Sequence, residues 1–341
     1  MFSTHSQAQS SVAKDQRVLL IGYGAAGRMH HNCYPDGVEV GAVVEKESKK
    51  TPEGIPMYEE IEAASDANFD VIDIAVPTDL HHIVFEKVSQ TFPSKPIIVE
   101  KPICIPNVIE QIERLVEAHS HNVYVNESYR SSKIVEKIIE LCDIYDVSSP
   151  DISISFCKNR YIDNLSGRYV DRYWGVWGYE GPHIIAILSQ LTGIDPLQWE
   201  VENSMESSFQ ISAMDRPTQG FAQANLSSGE IDAHLYTSTN GLLSDGSFIN
   251  PTSEDRLRVA EITDDEVTIT GEFEPIPGME RPKGRVTVES AGERREWVIY
   301  DDSLSRHLHR IIADKETMGG RQEISVEKGL DVLRLLRSIR E

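Results

Sequence analysis

Residues 18–27 read VLLIGYGAAG, and this stretch decides how the amino-terminal part of the chain folds. Four consecutive apolar residues are typical of a strand that is buried on both faces. Gly22, Gly24 and Gly27 follow it in the spacing G-x-G-x-x-G, which lets a backbone turn tightly and approach a pyrophosphate at the start of a helix. The alternative is that the glycines serve only the turn and close packing.

A carboxylate stands where a dinucleotide site needs one. Glu45 ends the second apolar run, about 20 residues beyond Gly24, and could accept hydrogen bonds from both ribose hydroxyls. Its charge would repel a ribose 2′-phosphate, although the neighbouring Lys46 could offset part of that repulsion. The sequence therefore predicts that NAD(H) is preferred and that NADP(H) is possible.

Apolar runs and helical segments alternate from residue 17 to residue 126, which predicts a parallel sheet covered by helices. Beyond residue 131 we expect a strand at residues 210–215, followed by three strand pairs joined by polar turns, at residues 220–239, 257–273 and 284–300. This pattern predicts an α/β region rich in antiparallel hairpins. We expect a disordered tail over residues 1–16, an NAD(P)-binding Rossmann domain over 17–130, and a substrate-binding and oligomerisation domain over 131–341.

Composition excludes several classes of protein. The 341 residues include 33 Lys and Arg against 55 Asp and Glu, a formal charge of −22, so a nucleic-acid partner is not expected because phosphate binding needs a basic face. The four cysteines form no C-x-x-C pair, so neither a structural zinc site nor a disulfide framework is expected. This cysteine usage favours a reducing cytoplasm. No stretch is apolar enough to span a bilayer, and no metal-ligand pattern is present.

Two polar motifs follow the third and fourth apolar runs. They are Pro77-Thr78-Asp79-Leu80-His81 and Glu100-Lys101-Pro102. Both would emerge at the carboxyl edge of the parallel sheet, where ligands bind. There the Lys101 ammonium could donate to an alcohol oxygen and stabilise developing negative charge. The alternative is an ordinary surface lysine.

The order and spacing of G-x-G-x-x-G, P-x-x-x-H and E-K-P resemble the Gfo/Idh/MocA oxidoreductase family. The resemblance implies a Rossmann domain joined to an α/β domain with an open, mostly antiparallel sheet. It also implies that Lys101 is catalytic and that Glu100 orients the loop or contacts the cofactor. The cofactor-binding residues expected are Gly22, Tyr23, Gly24, Ala25, Ala26, Gly27, Glu45, Lys46, Pro77, Thr78, His81, Glu100 and Lys101.

A second cluster departs from the family pattern D-x-G-x-H. Gly181 and His183 match it, but Tyr179 stands at the aspartate position. His183 is the candidate general base, because imidazole titrates near neutral pH, or it is a hydrogen-bonded core histidine. Tyr179 could act as a hydroxyl donor or merely fill the space of the aspartate. Glu180 is a reserve carboxylate.

Aromatic and basic residues concentrate between residues 160 and 179. Six aromatic residues there could stack on sugar faces or pack against a second subunit, and the arginines could bind an anionic substrate or remain solvated. Tyr129 and Arg130 lie at the junction that often lines the pocket in the family, or they pair across the domain interface. The substrate-binding candidates are Lys101, Tyr129, Arg130, Arg160, Arg168, Trp174, Tyr179 and His183.

The predicted activity is hydride transfer between nicotinamide and a hydroxyl or keto carbon of a sugar, nucleotide sugar, cyclitol or aminoglycoside-like compound. His183, with Tyr179, would remove the hydroxyl proton while Lys101 holds the oxygen. Two alternatives remain: an enzyme that reduces and reoxidises a retained NAD within one cycle, and a dinucleotide-sensing regulator without turnover. A homodimer or homotetramer is expected.

Overall fold

A computed structural model describes residues 16–46, 51, 54–119, 123–166, 173–210, 217–251, 255–312 and 324–341. The expected disordered tail, apart from Gln16, lies outside the described residues. Within them, two sheets account for the strands, one on each side of residue 130.

The first sheet is parallel throughout, and its order is β3-β2-β1-β4-β5-β6. Its strands are β1 (Gln16–Ile21), β2 (Val38–Val44), β3 (Met57–Tyr58), β4 (Val71–Ile74), β5 (Ile97–Glu100) and β6 (Val123–Asn126). Residues 18–21 are buried, as the unbroken apolar run predicts. The strand order reverses between β1 and β4, so the glycine turn after β1 opens into the crevice where ligands of such sheets bind.

Helices cross over between these strands. They are α1 (Ala25–Cys33), α2 (His81–Thr91) and α3 (Ile109–His119), with short 3₁₀ turns at Ile61–Ala64, Thr78–Leu80, Pro106–Val108 and Ser128–Ser131. This alternation confirms the Rossmann architecture expected for the amino-terminal region. It brings the chain segments that follow β1, β2, β4, β5 and β6 to one edge of the sheet.

The second sheet has the order β14-β13-β12-β11-β7-β10-β9-β8. Its strands are β7 (Asp151–Lys158), β8 (Glu200–Gln210), β9 (Pro217–Ser228), β10 (Ile231–Ser238), β11 (Arg256–Asp264), β12 (Val267–Glu272), β13 (Lys283–Ser290) and β14 (Glu293–Tyr300). The three predicted hairpins, β9–β10, β11–β12 and β13–β14, are confirmed. The strand expected at residues 210–215 overlaps β8 only at Gln210, because residues 211–216 lie outside the described part of the chain.

One pair in this sheet is parallel. β7 lies between β10, to which it runs parallel, and β11, to which it runs antiparallel. The prediction of a mostly antiparallel sheet is therefore confirmed, but the parallel pair was not expected. The pattern within β7 determines which of its residues are buried and carries no information about its two neighbours.

One helix connects β6 to β7, namely α4 (Lys133–Ile144). Two helices and a 3₁₀ turn lie between β7 and β8: α5 (Tyr161–Leu165), α6 (Trp177–Thr192) and the turn at Pro196–Gln198. Ser132 caps α4, because its hydroxyl accepts from the backbone N–H groups of Ile134 and Val135 at 3.2 and 3.4 Å. α6 ends at Gly193 in the left-handed conformation.

In the described part of the chain, α7 (Ser303–Ile312) and α8 (Val326–Arg340) return to the first sheet. The imidazole of His307 in α7 donates from Nε2 to the carbonyl of Val125 in β6 at 2.9 Å. Ser325, just before α8, forms a β-bridge with Tyr124. One apolar core therefore continues across both sheets, and the domain boundary at residues 130/131 stays a prediction. No helix in the described ranges has the length and apolar character to cross a membrane.

Candidate active site

The glycine turn after β1 has the shape that a pyrophosphate needs. Gly22 has a φ of 92°, and a Cβ there would lie 2.8 Å from the carbonyl oxygen of Ala75. A Cβ on Gly27 would lie 2.0 Å from the carbonyl oxygen of Gly22, so α1 packs tightly against the turn. A Cβ on Gly24, by contrast, would meet no atom within 4 Å. The space beside Gly24 at the start of α1 is therefore open, and a phosphate can approach the backbone there.

Glu45 lies directly beside this turn. Its Oε2 accepts from the backbone N–H of Tyr23 at 2.9 Å, while Lys46 is exposed next to it. The Tyr23 side chain is buried, and its hydroxyl contacts Nδ1 of His31 at 2.8 Å. Of the remaining turn residues, Ala25 is exposed and Ala26 is half-buried. The open glycine turn and the adjacent carboxylate fit a dinucleotide, with phosphates at Gly24 and a ribose at Glu45.

The segment after β4 is held to the segment after β5 by His81. This imidazole is buried, with Nε2 2.8 Å from the carbonyl oxygen of Val76 and Nδ1 2.9 Å from that of Pro102. Pro77 is exposed at the same edge, and Thr78 is buried behind it. His81 thus positions the loop that contains Lys101, and its direct contact with a cofactor stays a prediction.

A buried charged network lies beneath the Glu100-Lys101 motif. His30 in α1 is fully buried and donates from Nδ1 to Asp73 at 2.9 Å and from Nε2 to Glu100 at 3.0 Å. The Tyr34 hydroxyl donates to the same Asp73 oxygen at 2.6 Å, and Asn126 donates to the same Glu100 oxygen at 2.8 Å. Three strands and one helix are therefore joined through a single imidazole.

This network keeps His30 charged. Burial acts against the charged form, but the Asp73 and Glu100 carboxylates outweigh it and raise the pKa of His30 to about 10. Burial likewise acts to raise the pKa of Glu100, yet His30 and Lys101 lower it to about 2. Glu100 is therefore an anion with a fixed position, immediately before the candidate catalytic lysine.

We expect the variant His30→Gln to lose about 3–5 kcal/mol of unfolding free energy at pH 7, because it leaves two buried carboxylates without their cation. A histidine whose pKa rises on folding contributes stability that is complete below the unfolded-state pKa of 6.5 and disappears as the pH rises to about 10. In urea unfolding experiments, the difference in unfolding free energy between wild type and variant should therefore become smaller as the pH rises from 6.5 to 10.

The exposed His309 provides the matched control. His309→Gln should change the unfolding free energy by less than about 0.5 kcal/mol. A difference between wild type and His30→Gln that stays constant across this pH range would contradict a charged His30.

Lys101 is anchored to the second region of the chain. Its Nζ donates to the backbone carbonyl of Tyr179 at 2.8 Å, and the Lys101–Pro102 peptide is cis. The carbonyl belongs to the first turns of α6, the helix that also contains His183. The E-K-P motif and the second cluster, which are distant in sequence, therefore meet at the carboxyl edge of the first sheet.

His183 has a carboxylate partner that the sequence did not reveal. Its Nδ1 donates to Oε1 of Glu127 at 2.5 Å, and both side chains are largely buried. Burial acts to raise the pKa of Glu127, but its neighbours His183 and Lys101 outweigh that effect and hold the pKa below its ordinary value. Glu127 directly follows β6, as Lys101 follows β5. This position at the end of a strand was the one feature of the sequence that could have identified Glu127 as a site residue.

Tyr129 supports the imidazole from the side. Its ring packs edge-on against the His183 ring, with centroids 4.9 Å apart, and its hydroxyl accepts from Arg258 at 2.9 Å. Tyr129 is almost completely buried. It holds His183 in place, and a direct contact with substrate stays a prediction.

Tyr179 lies beneath an arginine. The guanidinium of Arg160 is 3.7 Å from the centre of its ring, and the same guanidinium donates to the buried carboxylate of Glu180 at 2.8 Å. Arg258 donates to Glu180 as well, at 3.2 Å. The reserve carboxylate Glu180 is therefore held by two arginines, while Glu127 provides the acidic partner of His183.

The expected role of Trp174 as a sugar-stacking residue needs correction. Its side chain is fully buried, and its indole N–H donates to the carbonyl of Cys104 at 2.7 Å, so no aromatic face is available to a ligand. Arg130 is buried and lines a small cavity together with Lys101 and Glu127. Arg168 lies outside the described residues. In the described part of the chain, no group of three acidic, His or Cys side chains is arranged to hold a metal ion.

Comparisons with known proteins agree with the fold described above. Residues 16–129 match the model of the Gfo/Idh/MocA oxidoreductase family, which has an NAD-binding Rossmann fold. A search of curated protein sequences found no match.

Solved structures with the same fold cover almost the entire chain. KijD10, a 3-ketoreductase from Actinomadura kijaniata solved with NADP and TDP-benzene, has a TM-score of 0.74 and 14% identity over 96% of this chain and 97% of its own. A proposed oxidoreductase from Magnetospirillum magnetotacticum has a TM-score of 0.71 and 15% identity over 95% and 99%. A proposed NADPH-dependent oxidoreductase from Desulfitobacterium hafniense has a TM-score of 0.70 and 16% identity over 96% of each chain. At these identities the likeness shows the fold.

The matched residues include the glycine turn, Glu45 after β2 and Lys101 after β5. All three follow strands of the first sheet and lie at the same edge of it. This amino-terminal region, about a third of the chain, is therefore similar to the Gfo/Idh/MocA family of oxidoreductases and has the NAD-binding Rossmann fold of that family.

Proposed function

We propose that this protein transfers hydride between nicotinamide and a hydroxyl or keto carbon of a carbohydrate-like substrate: a sugar, nucleotide sugar, cyclitol or aminoglycoside-like compound. The observation that carries the proposal is one arrangement. A lysine ammonium is bound to the carbonyl of Tyr179, and a histidine bound to a carboxylate lies one helical turn further along α6.

Lys101 would hold the reacting oxygen. An ammonium has three N–H donors, and the bond to the Tyr179 carbonyl uses one of them, which fixes the position of Nζ. A further N–H can donate to the substrate oxygen. This donation stabilises the negative charge that develops on the oxygen as the hydroxyl loses its proton.

His183 would move the proton. Because Nδ1–H donates to the Glu127 carboxylate, the neutral imidazole carries its lone pair on Nε2, where it can accept the proton of a substrate hydroxyl. The Glu127 anion then stabilises the imidazolium that forms. In the reductive direction, the same Nε2–H returns the proton to the oxygen. Glu127 thus supplies the negative charge that the tyrosine at position 179 cannot.

Residues on the other side of the crevice would hold the cofactor. We expect the pyrophosphate at the open turn of Gly24 and the adenosine ribose at Glu45, with Pro77, Thr78, Glu100 and Lys101 along the nicotinamide end. When bound, NAD supplies the hydride acceptor, and NADH supplies the donor.

The substrate class rests on the surroundings of Tyr179 and on one relative. The half-buried ring of Tyr179, packed against the guanidinium of Arg160, offers an aromatic surface that suits a polyhydroxylated ring. KijD10, the 3-ketoreductase with the same fold, was solved with TDP-benzene and NADP. These two observations favour sugar-like compounds among the many substrates of CH–OH oxidoreductases.

The test is the appearance of NADH absorbance with the purified protein across a panel of sugars, inositols, nucleotide sugars and aminoglycosides, each with NAD and with NADP. We expect one chemical class to respond. Saturable NAD binding with no response to any compound would overturn the proposal, and tightly held NAD that is never released would then indicate a retained-cofactor cycle. Native mass spectrometry of the same sample tests the predicted homodimer or homotetramer.

We propose that NAD(H) is the preferred cofactor, because the Glu45 carboxylate lies beside the glycine turn. The variant Glu45→Gln should lower the ratio of NADH to NADPH affinity by about tenfold, since it removes the charge that repels the 2′-phosphate. NADH and NADPH fluorescence titrations measure this ratio. Glu39→Gln, at an exposed position on the same strand, is the control and should leave the ratio unchanged. A wild-type protein that binds NADPH more tightly would contradict the assignment.

A further inference from the structure

Behind Tyr179 lies a group of charged side chains that we call the arginine cluster. It contains five cations and three carboxylates: Lys158, Arg160, Arg256, Arg258 and Arg281, with Asp163, Glu180 and Glu274. Arg256 lies directly opposite Lys158 in the pairing of β11 with β7 and interacts electrostatically with Arg258, Glu180, Arg281 and Glu274. Each carboxylate is within 4.0 Å of two cations. The cluster therefore carries a surplus of two positive charges, in a chain whose formal charge is −22.

Arg256 is the cation that remains without a carboxylate. Within the described part of the chain, its side chain forms no ion pair, and its buried Nε–H has no hydrogen-bond partner. The buried Nε–H groups of Arg160 and Arg258 also lack a partner among the described residues. Buried polar groups are ordinarily hydrogen-bonded, so three unsatisfied guanidinium N–H groups in one cluster indicate a missing acceptor.

The pKa of Arg256 responds to this environment. Burial, together with the charge of Arg258, lowers it to about 10, which still leaves the guanidinium charged at neutral pH. Removing a charge from water without a counter-ion costs free energy. A bound anion would provide both the opposite charge and the hydrogen-bond acceptors.

The cluster adjoins the candidate active site. Arg256 and Arg258 are two residues apart on β11, so their side chains are on the same face of the second sheet, and Arg258 reaches both Glu180 and Tyr129. Arg160 joins the cluster to the ring of Tyr179, whose carbonyl holds Lys101. An anion at Arg256 would therefore belong to the end of a substrate that lies away from Lys101.

We infer that Arg256, with the neighbouring guanidinium groups of Arg160 and Arg258, binds an anionic group of the substrate, a phosphate or a carboxylate; this inference rests on the proposed function. Arginine suits this role because its planar fork of donors matches two oxygens of such a group at once. An anion-binding site at Arg256 narrows the substrate class to acidic or phosphorylated carbohydrate-like compounds.

The test has a binding arm and a kinetic arm. In the first, inorganic phosphate is titrated into the NAD-saturated protein by calorimetry, so that the phosphate sites of the cofactor are already filled. Arg256→Gln should weaken phosphate binding by about tenfold or more, the loss expected for one charge-assisted hydrogen bond. Arg294→Gln, which removes the same charge from an exposed strand position, should change it by less than about twofold. Arg256→Lys, which keeps the charge, should lie between these variants.

In the kinetic arm, acidic and phosphorylated compounds should exceed their neutral analogues in kcat/KM, and Arg256→Gln should remove that difference by raising KM. Unfolding curves of each variant exclude misfolding as the cause. Phosphate binding that is absent, or equally strong in Arg256→Gln and Arg294→Gln, would overturn the inference even if a neutral sugar is oxidised. Arg256-dependent phosphate binding without turnover of any compound would support the anion site and overturn the proposed function instead.

Discussion

Replacing Lys101 by methionine is expected to lower turnover by about a thousandfold or more. Methionine keeps much of the volume of the side chain but removes the ammonium that would hold the substrate oxygen. General acid catalysis contributes about 10²–10⁴ and electrostatic stabilisation of an oxyanion about 10²–10³. The measurement is steady-state kinetics on the compound that the panel identifies, together with NADH fluorescence titration of the same variant.

Affinity for NADH should remain within about threefold of wild type, because phosphates and ribose are held by the glycine turn and Glu45 rather than by Lys101. Lys133→Met is the matched control, since Lys133 is exposed at the start of α4. Turnover by Lys101→Met that equals that of the control would remove Lys101 from the reaction. A variant that loses NADH binding and turnover together would instead show that Lys101 acts mainly by holding the cofactor.

The second large effect is expected at Glu127. Glu127→Gln keeps the shape of the side chain but removes the charge opposite His183, so the imidazolium that forms during the reaction loses its stabilising anion. We expect kcat to fall by about 100-fold or more while the affinity for NADH changes little. Glu117→Gln, at an exposed position on α3, is the control.

A double variant separates a role exerted through His183 from an independent one. If Glu127 acts by orienting and stabilising His183, then Glu127→Gln combined with His183→Asn should be no slower than His183→Asn alone, because groups that act as a unit are not additive. Losses that multiply in the double variant would show that Glu127 has a separate function. A kcat for Glu127→Gln equal to that of wild type would eliminate the pair as proton-transfer machinery.

The structure changes the interpretation of Tyr179. In the sequence it stands where the family that this chain resembles usually has an aspartate, four residues before the histidine. In the structure, the acidic partner of His183 comes from Glu127, at the end of another strand, while Tyr179 contributes its carbonyl to Lys101 and its ring to Arg160. The hydroxyl-donor role suggested for Tyr179 stays a prediction.

The sequence by itself determined the elements and the cofactor region. The VLLI run and the glycine spacing predict a buried strand, a tight turn and a helix, because sterics and burial act over a few neighbouring residues. The same local rules placed Lys101 at a strand end and identified three hairpins by their polar turns. They also placed Gly24 where the structure leaves open space at the start of α1.

Only the tertiary structure decided which side chains meet. His30 contacts Asp73 and Glu100 across 43 and 70 residues, and Glu127 contacts His183 across 56. Trp174 lies in an aromatic-rich segment and was therefore expected to bind sugar, but packing in the folded chain buries it completely. Local periodicity specifies which face of an element is buried. The partner on that face depends on strand order and helix packing, which are set by the free energy of the whole fold.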